Sequence, residues 1–173
     1  MDTAEGCVDI REHPATGRRK SAFYGVFAVA LVLFLGASFT RAYGVRTETV
    51  EAIGGGYELS VRYGGTTRPA LATPFDIEIR RPGGFDGPVT VAVTGEYLAM
   101  WDENGLSPAP SAETADGEWR VWEFDPPDGE VLLVSFDARI EPAAQSGERG
   151  RVEIRDESGG AVVAVDFETE VLP

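Results

Sequence analysis

The feature that most constrains the fold of this chain is a run of twenty residues without a charged side chain, from Ser21 to Thr40. Ten of these twenty residues are Leu, Val or Phe. Twenty helical residues span about 30 Å, which is the thickness of the hydrocarbon core of a bilayer. A helix inside a protein core is rarely apolar on every face over this length. The run therefore predicts a transmembrane helix over residues 21–40.

Basic residues flank this run unequally. Four precede it and two follow it closely: Arg11, Arg18, Arg19 and Lys20, then Arg41 and Arg46. The flank that is richer in Lys and Arg normally stays in the cytoplasm. We therefore expect a single-pass signal-anchor protein of the plasma membrane, with residues 1–20 as a cytoplasmic tail and the C-terminal part extracytoplasmic.

A cleaved signal peptide is the alternative interpretation of the same segment. Residues 40–42, Thr-Arg-Ala, would then be a poor cleavage site. The twenty residues before the apolar run are long for a signal peptide, and the run exceeds a usual signal-peptide core. These lengths favour an uncleaved anchor.

The remainder divides into a short tether, residues 41–46, and one domain, residues 47–173, of ordinary size for a single core. The tail carries four acids and four bases, so the net charge of −14 falls on the exported part, which has no lysine. Such a surface is repelled by phosphate backbones and by anionic lipid headgroups, which excludes nucleic acid as a partner. Basic proteins and divalent cations stay open as partners.

Cysteine and histidine are nearly absent. Cys7 and His13 are the only ones, and both lie in the tail. The exported domain therefore has no disulfide, and it cannot assemble a zinc cluster or a histidine general base. We expect no cofactor and no resident metal.

After the anchor, apolar residues alternate with polar ones, which is the pattern of strands with one buried face. The sets are Leu59, Val61 and Tyr63; Phe75, Ile77 and Ile79; Val89, Val91 and Val93; Leu132, Val134, Phe136, Ala138 and Ile140; Val152 and Ile154; and Val163, Val165, Phe167 and Val171. No amphipathic helix separates them. The pattern predicts an antiparallel β-sandwich of eight or nine strands, Ig-like or fibronectin-like in architecture.

Glycine-rich turns punctuate these sets. Residues 54–56, three glycines, can supply the positive φ of a hairpin turn. Residues 82–84 and 86–88 frame a short loop. Asp128-Gly129 and residues 158–160 are expected to close later hairpins.

The least regular stretch is residues 101–116, which contains two prolines and is expected to form a long loop. Long loops in compact domains are commonly functional, so this stretch is the first candidate contact site. Asp102, Asn104 and Glu113 match three positions of a calcium-binding loop. Leu106 and Ser107 break the pattern, so a plain turn is favoured. An acidic turn with Asp125 and Asp128 is a second candidate that can share a cation with the first.

The tryptophans raise a different possibility. Trp119 and Trp122 are three residues apart, so on an unbulged strand they face opposite sides of a sheet. If Trp122 and Phe124 point into the core, Trp119 lies beside the long loop, where it either clamps that loop or stacks on a sugar ring or partner protein. The clamp is favoured. The candidate contact residues are therefore Trp101, Asp102, Asn104, Trp119, Asp125 and Asp128.

No catalytic constellation is evident in the sequence. There is no nucleophile paired with a base, and the glycines at 54–56 precede a strand pattern, whereas a phosphate-binding loop precedes a helix. Alternating carboxylates such as Asp76 and Glu78 are ordinary residues of a solvent-facing strand. We therefore expect a protein that is not an enzyme.

Two neighbouring stretches of the sequence resemble part of a known class of domains. Residues 122–127 (WEFDPP) followed by residues 131–142 (VLLVSFDARIEP) look like the closing half of Ig-like ectodomains. Together with the basic flank and the single span, this layout resembles bacterial single-pass membrane proteins with an Ig-like extracytoplasmic domain. The resemblance covers roughly residues 47–173 and implies no catalytic residues.

The leading hypothesis is a non-catalytic binding or accessory module that contacts another envelope protein. Because the tether is only about six residues long, we expect the domain to stay close to the bilayer, near a membrane-embedded partner. A carbohydrate or cell-wall binding module with exposed tryptophans is the alternative. An envelope hydrolase and a calcium-dependent adhesion module are less favoured.

Overall fold

The computed structural model describes residues 14–39 and 44–172. These residues form two compact units, the first containing the helix α1 and the second a β domain that begins at Gly44. Residues 1–13 of the predicted tail, which spans residues 1–20, lie outside the described residues. So do residue 40 of the predicted transmembrane helix, residues 41–43 of the predicted tether and residue 173.

Helix α1 spans Pro14–Phe39, 26 residues. Its side chains are described over residues 21–37, and every one of them from residue 21 to residue 36 is exposed to solvent. Within the described residues, no helix is both long enough and apolar enough to cross a membrane.

The β domain contains ten strands and one helical turn, where the sequence predicts eight or nine strands. They are β1 (Arg46–Gly54), β2 (Tyr57–Thr67), β3 (Asp76–Arg80), β4 (Val89–Thr94), α2 (Gly95–Leu98), β5 (Trp101–Ser107), β6 (Ala112–Asp116), β7 (Trp119–Phe124), β8 (Val131–Ile140), β9 (Glu148–Arg155) and β10 (Ala161–Val171). The domain is thus mainly β, as predicted.

The strands form two antiparallel halves of one curled sheet. Half A has the order β1-β2-β3-β8-β5 and half B the order β10-β9-β4-β7-β6. A short parallel pairing joins the halves, with Thr66 and Thr67 of β2 opposite Glu170 and Val171 of β10. The chain crosses between the halves five times, at the connections β3–β4, β4–β5, β5–β6, β7–β8 and β8–β9.

The core lies between the two halves. Every apolar residue of the alternating sets named above is buried, so the predicted inward faces are confirmed. Rings from the two halves meet in this core, with centroids 5.6 Å apart for Trp122 and Phe136 and 4.9 Å for Tyr63 and Phe167. This contact between the halves gives the domain its sandwich-like packing.

Two of the predicted turns are confirmed as hairpins. Gly55 and Gly56 link β1 to β2 with φ of 57° and 82°, a conformation that glycine adopts without strain. Residues 156–160 link β9 to β10. Asp128-Gly129, predicted to close a hairpin, instead lies between β7 and β8, which belong to different halves. Turn-forming residues show that the chain reverses direction, but they do not show which strand the following strand pairs with.

The prediction of a long loop over residues 101–116 is wrong. The segment forms β5 and β6, with only residues 108–111 between them. Both strands lie at the edges of their halves. An edge strand that lies largely outside the core does not need alternating apolar residues, so the pattern that revealed the other strands is absent here.

Candidate functional site: the open edge

One side of the β domain is closed and the other is open. On the closed side, β2 pairs with β10, and Gly54 of β1 lies so close to β10 that a Cβ there would be 2.6 Å from the Val162 carbonyl oxygen. On the other side, β5 ends half A and β6 ends half B, and within the described residues neither strand has a partner on its outer side. We call this side, residues 101–116, the open edge.

Trp101 fastens β5 to the core. Its side chain is only 8% exposed and stacks on Phe75 with centroids 5.7 Å apart, while the Tyr97 ring lies 5.8 Å away. Trp101 is therefore a structural residue of the edge, and it is not available to a ligand.

The other residues of β5 are exposed or half-buried, and Leu106 packs against the core. Asp102 accepts a hydrogen bond of 2.8 Å from Nε of Arg139 on the neighbouring strand β8. Asn104 is exposed and lies in a β-bulge, because the register with β8 shifts between Glu103 and Gly105. The bulge interrupts the regular hydrogen-bonding pattern of this edge.

Strand β6 is fully exposed and has no bulge, in contrast to β5. All five of its residues are exposed, and its register with β7 runs without a shift from Ala112 opposite Glu123 to Asp116 opposite Trp119. Glu113 forms an ion pair with Arg120 of β7. The strand is thus held by one neighbour and is open on its other side.

Charged groups of the two halves meet at the open edge. Burial raises the pKa of Glu103 on β5, the positive charge of Arg120 on β7 opposes that shift, and the negative charge of Glu113 on β6 adds to it. Arg120 therefore interacts with carboxylates that belong to both edge strands.

Trp119 lies on the outer face of half B and is half-buried. The guanidinium of Arg155 on β9 lies over its ring, with Cζ 4.7 Å from the centroid. Trp119 is less buried than Trp122, as the sequence predicts. The contact over its ring comes from Arg155 of β9.

Arg155 is held in place by a chain of charges across the outer face. Its Nε donates to Glu153 at 3.1 Å, and Glu153 also accepts from Nε of Arg151 at 2.9 Å. Asp166 accepts from Arg151 at 3.0 Å, and Asp116 of β6 accepts from Arg155 at 3.4 Å. This network ties β6 to β9.

The structure separates the remaining predicted contact residues. Asp125 and Asp128 are exposed in the connection between β7 and β8. Asp102 and Glu113, two of the positions that match a calcium loop, lie in different halves and pair with Arg139 and Arg120. Among the described residues, no group of three or more His, Cys, Asp or Glu side chains is placed to hold a metal ion.

Sequence reasoning missed the arginines of this region. Arg120 organises the open edge and Arg155 the outer face, and nothing in the sequence around Arg120 distinguishes it from the other arginines. The alternation Arg151, Glu153, Arg155 on one strand face was a usable signal, because residues two apart on a strand share a face and opposite charges there pair.

Another concave surface lies on the outer face of half A. It is a shallow groove of about 310 Å³ lined by Thr49, Ser60, Arg62, Asp76, Glu78, Leu133 and Ser135. Asp76 accepts a hydrogen bond of 2.9 Å from Nε of Arg62 within it. The groove shows no arrangement of groups beyond those of an ordinary outer sheet face.

No protein-family model matches this chain, and no curated protein matches it. The features of the chain that bear on its function are helix α1 and the open edge.

Proposed function

We propose that this chain is a membrane-anchored, non-catalytic binding or accessory module, whose Ig-like β domain lies outside the plasma membrane and contacts another envelope protein. The observation that carries the proposal is the exposed apolar surface of α1.

The described side chains of α1 from residue 21 to residue 36 carry no charge and are exposed on all faces of the helix. Val32 is 67% exposed and Leu33 is 68% exposed, and the neighbouring large apolar residues are similarly exposed. A continuous apolar surface of this kind marks contact with a membrane or with a protein. The uncharged sequence continues to Thr40, beyond the described side chains, and its ten Leu, Val and Phe residues contribute roughly −3 to −6 kcal/mol to membrane insertion. A bilayer is the environment that covers all faces of such a helix at once.

The distribution of charge supports the orientation. The basic residues are concentrated before the apolar run, and the acidic, lysine-free domain follows it. Cytoplasmic membrane surfaces are anionic, so an acidic domain gains nothing by lying on that side. The short predicted tether favours a partner at the outer membrane surface.

The tryptophans argue against the carbohydrate alternative. Trp101 and Trp122 are buried, and Arg155 occupies one face of Trp119. Stacking on a sugar ring needs an aromatic face that is open to solvent. A protein-binding module therefore fits the described aromatic residues better than a cell-wall binding module does.

The carboxylates of the open edge favour a non-catalytic function. Asp102, Glu113 and Asp116 pair with arginines, whereas a hydrolase needs two carboxylates that face a substrate cleft. A calcium-dependent adhesion module needs several oxygen ligands that converge on one point. Neither arrangement is supported by these contacts.

The proposal is tested in membranes from cells that express the full chain. We expect the protein to stay in the pellet after an alkaline carbonate wash, and chemical crosslinking to recover one membrane protein in constant ratio. A variant with Val29→Arg and Leu33→Arg, which places two charges in the run, should lose the pellet association. Release of the unchanged protein by the wash would contradict the anchor, and reproducible recovery of no crosslinked membrane protein would contradict the accessory function.

A further inference from the structure

We propose that β6 is a docking edge, which accepts an extended basic segment of the partner as an additional antiparallel strand. This inference deepens the proposed function, since it names the surface and the chemistry of the partner, and it relies on that function only for the partner being an envelope protein.

The backbone of β6 is suited to strand addition. On the side opposite β7, no strand within residues 44–172 pairs with it. In an antiparallel ladder, alternate residues direct their N–H and C=O groups to each neighbour, so half of the backbone groups of β6 point away from β7. Such an edge is a template for an incoming strand.

The other edge of the open side is poorly suited. The bulge at Asn104 breaks the register of β5, and Pro108 and Pro110 follow its end. Bulges and prolines are features that protect edge strands from unwanted pairing. In β6 the register is unbroken from Ala112 to Asp116 and no proline occurs. The features that protect against pairing with another strand thus lie on or beside β5. Strand β6 is therefore the edge that can accept an added strand.

The side chains of β6 leave room for a neighbour. Ala112, Thr114 and Ala115 are small, and all five residues of the strand are exposed on both faces. An incoming strand can therefore align beside β6 without displacing any side chain from the core.

Charge selects a basic partner. Between residues 101 and 124 there are six carboxylates, Asp102, Glu103, Glu113, Asp116, Glu118 and Glu123, and one arginine, Arg120. Three of these carboxylates are paired, Glu113 with Arg120, Asp102 with Arg139 and Asp116 with Arg155. With the three arginines counted, the region keeps a net charge of −3. Lysine or arginine side chains on an added strand would lie opposite the acidic ones, which stabilises cross-strand pairs.

A second copy of this chain is the less suitable occupant. Pairing of β6 with β6 of another copy would bring together two edges that each keep a net negative charge after their ion pairs are counted. Like charges on adjacent strands are destabilising. The surface therefore favours a different, basic chain.

The test uses the full chain in detergent micelles and a synthetic peptide of eight residues with alternating Lys and Val as the probe. We expect fluorescence anisotropy to show binding and hydrogen exchange to slow at the amides of β6. Two matched peptides should not bind: one with Glu in place of Lys, and one N-methylated at every backbone nitrogen, which keeps the charge but cannot pair as a strand.

Matched variants locate the site on the protein. The double variant Glu113→Gln and Asp116→Asn should weaken binding of the Lys-Val peptide roughly tenfold, since two rim charges are lost. The control Glu157→Gln and Glu170→Gln removes the same charge from exposed positions elsewhere and should bind as the unchanged protein does.

Four results would overturn the inference: absence of peptide binding, equal binding of the N-methylated peptide, protection of β5 instead of β6, or pairing of β6 between two copies. These results are separate from the membrane experiment. A chain that crosslinks to a membrane protein but does not bind the peptide keeps its accessory function and loses only this docking edge.

Discussion

Trp119 and Trp122 show how position on a strand determines the environment of a residue. They lie three positions apart on β7, and because strand side chains alternate, Trp122 is fully buried while Trp119 lies beneath Arg155 on the outer face. This difference was predictable from the spacing alone. The partner of Trp119 was not, because Arg155 lies 36 positions further along the chain and reaches the ring only through the arrangement of half B.

Trp122→Ala is expected to destabilise the domain by about 3–5 kcal/mol, since a large buried ring is replaced by a cavity. Trp119→Ala, which removes a half-buried ring on the outer face, should cost about 1 kcal/mol. Urea unfolding of the two variants in detergent micelles measures the difference. Equal losses for the two substitutions would contradict the assigned faces of β7.

The raised pKa of the Glu103 carboxyl predicts how the free energy of unfolding depends on pH. This pKa is raised above the ordinary value of 4.5 for a glutamate side chain, mainly because the carboxyl is partly removed from water. The folded state then binds the proton more tightly than the unfolded state does, so the stability that this group contributes is present below pH 4.5 and is lost as pH rises through the folded pKa.

Glu103→Gln removes this dependence. Relative to the unchanged protein, the variant should gain stability as the pH is raised from about 4.5, and the gain should level off once the carboxyl is ionised. Unfolding free energies measured across that range test the prediction, with the exposed Glu123→Gln as the control. A difference that does not change with pH would show that burial does not perturb the Glu103 carboxyl.

At the scale of the elements, the sequence predicted those strands that have one buried face and failed for the edges. Strands β2, β3, β4, β8, β9 and β10 alternate because one side of each contacts the core. Strand β6 is exposed on both faces, so no apolar period records it. The order of the strands in the sheet also cannot be predicted from the residues within each strand. Strand β3 pairs with β8 and β4 pairs with β9, and these partners are far apart in the sequence.

Close approach between β9 and β10 gives a prediction at this scale. A Cβ at Gly147, directly before β9, would lie 1.8 Å from the carbonyl oxygen of Thr169 on β10. Gly147→Ala should therefore force the strands apart and destabilise the domain by about 1–3 kcal/mol.

Gly87→Ala is the matched control. Nothing lies within 4 Å of a Cβ at Gly87, so this change should alter the unfolding free energy by no more than about 0.5 kcal/mol. Comparable unfolding midpoints for the two alanine variants in urea would contradict the tight contact between β9 and β10.

At the scale of the whole molecule, the proposed account combines an apolar helix with an acidic β domain. The composition on either side of residues 21–40 differs sharply, since Cys7, His13 and Lys20 all precede the run and none of these residue types follows it. Location and orientation therefore stay predictions made from the sequence. The proposed docking edge needed the structure, because it depends on which strands end the two halves of the sheet.

The topology is also the most direct test of the central proposal, that the β domain is held outside the membrane by a single span. The chain has one natural cysteine, Cys7, and Glu157 is exposed in the turn between β9 and β10. Bacterial spheroplasts that express either the unchanged chain or the variant Cys7→Ser with Glu157→Cys are treated with a membrane-impermeant maleimide. We predict labelling of the Glu157→Cys variant in intact spheroplasts and labelling of Cys7 only after lysis. Labelling of Cys7 in intact spheroplasts, or of neither position before lysis, would contradict the account.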